Sequence, residues 1–133
     1  MITVRWLSTQ LVQRLHQNLL NDFGGLEGRG VNDSLLNSSL ARPQQLLAYG
    51  EPAPTLFQLA AAYGFGLVRN HSFADGNKRI GLVAIDVFLQ LNGYELCATE
   101  EEAVTNIYQL ASGELKEQQL SIWIKKNAHS ILD

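Results

Sequence analysis

From Ile80 to Leu91 the chain is apolar at every position except Gly81, Asp86 and Gln90, and the run lies between Gly76 and Gly93. Periodicity and length suit a helix that starts near Gly76 and ends around Gly93. A helix that is apolar on nearly all sides must be covered on nearly all sides, so the rest of the chain has to wrap around it. This predicts an all-α fold, a helical bundle around a buried central helix.

The wrapping elements are legible as well. Ser8 is a plausible N-cap for a helix with Leu11, Val12, Leu15 and Leu19 on one face, stopped by Gly24 and Gly25. Asn32 or Asp33 caps a short helix carrying Leu35, Leu36 and Leu40, expected to break near Arg42 because Pro43 follows. Gln44 to Pro54, with Gly50, Pro52 and Pro54, reads as an extended flap. Thr55 caps a helix through Leu56, Leu59, Ala60, Tyr63 and Leu67, in which Gly64 and Gly66 imply close approach of the central helix. Thr99 and Glu102 form a capping-box pattern for a helix to about Ala111, and a last helix carries Leu120, Ile122, Trp123 and Ile124. There is no sustained strand alternation, so no strand is expected.

With 133 residues, 46% of them hydrophobic and 17% charged, the composition is that of a globular protein, and residues 1–133 are read as one domain. Ten basic against thirteen acidic residues supply no cationic excess, which argues against nucleic acid as a partner. The single cysteine, Cys97, excludes an internal disulfide. Met1 to Gln10 lacks the basic-then-apolar pattern of a secretory signal, and no apolar stretch approaches the ~20 residues that span a bilayer. The expectation is a protein of a reducing cytoplasm, without membrane attachment.

The chemistry is concentrated in His71-Ser-Phe-Ala-Asp-Gly-Asn-Lys-Arg79, at the start of the central helix. Free N–H groups and the macrodipole favour anions there. Histidine is the side-chain type here that could accept the proton of an incoming hydroxyl, which makes His71 a possible base, although a lone histidine is often structural. Asp75 is a hard oxygen ligand suited to magnesium, or else a cap for the helix. Gly76 either admits a ligand close to the backbone or serves a tight turn. Asn77 can donate its amide to a phosphate or cap the helix. Lys78 and Arg79 oppose the helix dipole, a conflict that a bound anion resolves, unless both are simply solvated. Phe73 reads as a core anchor for the loop. The residues alone thus reach magnesium-assisted phosphoryl or nucleotidyl transfer to a hydroxyl.

The same nine residues resemble the signature of the Fic/Doc family, His-x-Phe-x-(Asp/Glu)-(Gly/Ala)-Asn-(Gly/Lys)-Arg. Similarity to its death-on-curing branch extends to Gly24-Gly25, Arg29 to Asp33, Leu36 to Pro43, Asn70 and Leu89 to Tyr94. The resemblance implies His71 as general base, Asp75 as metal holder, and Gly76, Asn77, Lys78 and Arg79 as the grip on nucleotide phosphates. ATP and magnesium are the implied substrate and ion, and a hydroxyl of a target protein is the implied acceptor. Adenylyl-transferring members have a second glycine where this chain has Lys78 and a second arginine where it has Leu82. Both departures match the death-on-curing branch, for which the resemblance implies transfer of the γ-phosphoryl group, a protein kinase activity. It further implies a toxin of a toxin–antitoxin pair, with a threonine of a translation elongation factor as target. Adenylylation and a non-enzymatic binding module are the alternatives.

Many family members carry an inhibitory helix with the pattern Ser/Thr-x-x-x-Glu-(Gly/Asn). Here Glu27-Gly28 has Phe23 four positions before it, so restraint would have to come from a separate antitoxin. His16 and His129 read as surface residues of amphipathic helices, Gly24 to Gly30 as a helix-ending turn, and Trp6 and Trp123 as core or docking residues.

Overall fold

Four helices begin where a side-chain oxygen is available to take up a first-turn N–H. The Ser8 hydroxyl accepts from the Leu11 N–H at 3.1 Å and opens α1 (Thr9–Phe23). Asn32 accepts from Leu35 at 3.0 Å and opens α2 (Asp33–Tyr49). Thr55 and Gln58 close a reciprocal capping box at the head of α3 (Leu56–Asn70). After α4 (Asn77–Leu91) and a short strand β1 (Tyr94–Leu96), the Thr99 hydroxyl accepts from the Glu102 N–H and starts α5 (Glu100–Ser112). Helix α6 (Glu117–Asn127) and strand β2 (Ala128–Ser130) complete the order. This is a computed structural model, and it describes residues 3–23, 31–73 and 76–132.

The architecture is all-α, as expected, with one small addition. β1 and β2 pair antiparallel, Tyr94 opposite Ser130 and Leu96 opposite Ala128, tying the end of the chain to the residues that follow α4. Three residues per strand are too few to establish an alternating pattern, which is why periodicity does not foretell them.

Two expectations about α2 and the segment after it are corrected. The helix does not break at Arg42 but runs through Pro43 to Tyr49, so only residues 50–54 of the expected flap are non-helical. Proline in a helix interior costs ~3 kcal/mol through its missing N–H and its ring clash. Burial offsets this: Leu36, Ser39, Leu40 and Pro43 are all buried, and Leu46 and Leu47 pack on the same core. An ion pair from Arg42 to Glu117 of α6, 2.6 Å long, adds an attachment at the level of the proline.

The centre is shared between α3 and α4. Their mutual packing is the most extensive in the molecule, and α3 also contacts α2, α5 and α6. α3 is buried from Leu59 to Gly64 and again from Gly66 to Val68, more completely than α4, whose Leu82, Val83 and Val87 are only partly covered. Close approach of the two helices depends on glycine: a Cβ on Gly64 would lie 2.6 Å from Ile85 Cδ1, and one on Gly81 would lie 2.5 Å from Val68 Cγ2. Gly66, by contrast, faces Ser39 of α2 and not α4. Tyr63, fully buried, accepts the Leu7 N–H at 3.1 Å and stacks at a tilt on Phe88. Burial pushes the Tyr63 phenol above its ordinary pKa, and the Leu7 hydrogen bond partly opposes that. Among the described residues, no helix is long and apolar enough to cross a membrane.

Candidate active site at the start of the fourth helix

The nine-residue motif is the junction between the two central helices. α3 ends on His71, held in the left-handed region at φ 52° and ψ 51°, and its side chain is exposed. Positive φ is unusual for a residue with a Cβ, and it turns the chain sharply out of the helix. The Asn32 N–H donates to the Ser72 carbonyl at 2.6 Å, fastening this turn to the head of α2. Just before it, the Asn70 amide donates to the Ser39 hydroxyl at 2.7 Å, a second tie to α2.

Phe73 is buried, as expected of an anchor. Its backbone is gripped from α4: the Phe73 N–H donates to Asn77 Oδ1 at 3.1 Å, and Asn77 Nδ2 donates back to the Phe73 carbonyl at 2.9 Å. Asn77 is therefore neither a simple cap nor simply a phosphate donor. It straps the loop, with one amide hydrogen outside these two bonds. Gly76 sits at φ 79°, a conformation that glycine adopts without strain, and leads into α4 as its N-cap residue. Asp75 lies outside the described residues.

A cavity of about 320 Å³ opens at this helix start, lined by Gly76, Asn77, Lys78, Arg79 and Leu82 of the α4 side and by Val104, Ile107 and Tyr108 of α5. Four of the expected site residues thus share one cavity, whereas His71 is not among its lining residues. Lys78 and Arg79 are exposed. The Lys78 ammonium stands 5.2 Å from the centre of the Tyr108 ring, a cation–π contact that fixes the lysine above the cavity wall. With a helix N-terminus and two cations on one side and aliphatic and aromatic groups on the other, the cavity suits an anion joined to a flat apolar body.

The α5 wall was not legible as part of the site. Its only trace in the sequence is that Val104 and Tyr108, four apart, fall off the face made by the buried Ala103, Ile107 and Leu110. His16, expected at the surface, is instead 5% exposed, because its ring stacks on Phe73 with centroids 3.7 Å apart. His129 is exposed, as expected, though it sits on β2 and not on a helix.

A family model described as Fic/DOC matches residues 6–89, from the approach to α1 almost to the end of α4, including the whole motif. This chain belongs to the Fic/DOC family. Among curated relatives, Toxin Doc of Mycolicibacterium smegmatis is 41% identical over 76 residues, 57% of this chain and 58% of that protein. Protein kinase doc of Escherichia phage P1 is 30% identical over 112 residues, 84% of this chain and 86% of that one. The chain thus matches less than two thirds of the mycobacterial relative and most of the phage protein. Within the family assignment, the strapped Phe73, the left-handed Gly76 and the α4 N-terminus give the motif a physical reading, a helix start that turns N–H groups and cations to one cavity.

Proposed function

We propose that this chain is the toxin of a toxin–antitoxin pair and a protein kinase that moves the γ-phosphoryl group of ATP to a serine or threonine hydroxyl of a target protein. The observation that carries the reading is the shared cavity, where Lys78 and Arg79 border the start of α4 while Leu82 stands on the same wall. The printed names of the two relatives, Toxin Doc and Protein kinase doc, support it.

In this reading the phosphates of ATP lie against the first-turn N–H groups of α4, with Gly76 permitting close approach and Lys78 and Arg79 neutralising charge. Lys78 fills space that glycine would leave open, and Leu82 offers no cation to further phosphates. Both favour phosphoryl over adenylyl transfer. The donor set fits magnesium: Asp75 is a single hard carboxylate, and phosphate oxygens and water would complete the shell. Magnesium supplies charge neutralisation across the transferring phosphate when bound. His71 takes the proton of the target hydroxyl as that oxygen bonds to the γ-phosphorus, and the bond to the bridging oxygen breaks to leave ADP. The family resemblance makes a threonine on a translation elongation factor the first target to examine.

The sequence carries no Ser/Thr-x-x-x-Glu-(Gly/Asn) segment, so restraint is assigned to a separate antitoxin that lays an amphipathic helix on the domain. Expression of the chain alone should arrest bacterial growth, and arrest should disappear with His71→Ala or with co-expression of the cognate antitoxin. A well-expressed, harmless wild-type chain, or arrest that survives His71→Ala, would refute the toxin reading and favour a binding module.

A further inference from the structure

The motif loop is held from a second direction by a residue with no place in the mechanism above. His16, on the third turn of α1, lies nearly parallel to the Phe73 ring, with 16° between the planes and 3.7 Å between the centroids. The edge of the same imidazole meets Gly76, where a Cβ would come within 3.3 Å of Nε2. Phe73 and Gly76 are the residues that flank Ala74-Asp75 in the chain. One buried ring of α1 therefore touches both ends of the step between the two central helices. An aliphatic side chain could fill the volume, but only a flat ring offers a face to Phe73 and a thin edge to Gly76 together.

We propose that His16 is a positioning residue for the phosphate-handling loop. Asn77 fixes the Phe73 backbone from α4, and His16 fixes the Phe73 ring and the Gly76 backbone from α1. Between them the two residues set where the first-turn N–H groups and the Lys78-Arg79 pair stand relative to a bound nucleotide. His16 does not line the cavity, so its effect is on geometry and not by contact with substrate. The functional consequence rests on the kinase reading above, while the contact itself does not.

The test compares the wild-type chain with His16→Ala, His16→Phe and His16→Gln by backbone amide exchange and by steady-state phosphoryl transfer. His16→Ala should speed exchange at Gly76, Asn77 and Lys78 and leave Ala84 and Ile85 of the core unchanged. It should also lower kcat by about 10–100-fold and raise KM for ATP, because the displaced groups are those that hold the phosphates. His16→Phe, which keeps a flat ring, should restore slow exchange and most of kcat, and His16→Gln should not. Unchanged loop exchange in His16→Ala, an equal rise across the core, or a Phe variant as impaired as Ala would each overturn the proposal. If the wild-type chain transfers no phosphate, the kinase reading fails, and the exchange comparison still decides the role of His16.

Discussion

Lys78 is the residue at which charge, packing and chemistry meet. A lysine in the first turn of a helix opposes the macrodipole, and here its compensation is the Tyr108 ring and whatever anion enters the cavity between them. Lys78→Gly should therefore weaken ATP binding and γ-phosphoryl transfer, by about 10-fold for loss of one charge-assisted hydrogen bond. Calorimetry with ATP and a label-transfer assay check this, and unchanged binding would place the lysine in solvent. The chemical type of each motif residue was legible because histidine, carboxylate, glycine and paired cations in nine positions have few joint uses. What each side chain touches was not. Asn77 spends its amide on Phe73, and His16 is covered by the same ring, because periodicity tells which face of a helix a residue occupies and not what lies over that face.

At the scale of elements, capping chemistry predicted helix starts better than proline predicted a helix end. Ser8, Asn32, Thr55 and Thr99 all accept the N–H bonds expected of them, local interactions that tertiary packing has no reason to override. Pro43 was a local signal that packing did override, since α2 packs on α3, Leu36, Ser39, Leu40 and Pro43 are buried, and Leu46 and Leu47 are partly buried against the core beyond the proline. The crossing of α3 and α4 depends in turn on missing side chains. Gly81→Ala would drive a methyl to 2.5 Å from Val68 Cγ2, so the two helices must part or Val68 must leave its position. Overpacking of this kind should destabilise the protein by about 1–3 kcal/mol, seen as a lower midpoint in urea. An unchanged midpoint would show that the crossing is loose.

Across the described residues, the candidate site residues collect where α3 meets α4, and α1, the head of α2 and α5 all reach that junction: His16 on Phe73, Asn32 on Ser72, and Tyr108 on Lys78. The apolar run from Ile80 to Leu91 foretold that the motif would sit on a buried helix. It did not foretell that α3 would share the centre, because the alanines and glycines of α3 weigh little in a hydrophobic pattern while permitting the closest packing. The central claim is that this junction handles the far end of ATP. Purified protein incubated with magnesium and a bacterial lysate, with ATP labelled in parallel at the α- or the γ-phosphate, tests it directly. The account predicts γ-label on a protein band, absent with His71→Ala, and no α-label; α-label on the target of the wild-type chain would contradict it and make the protein an adenylyltransferase.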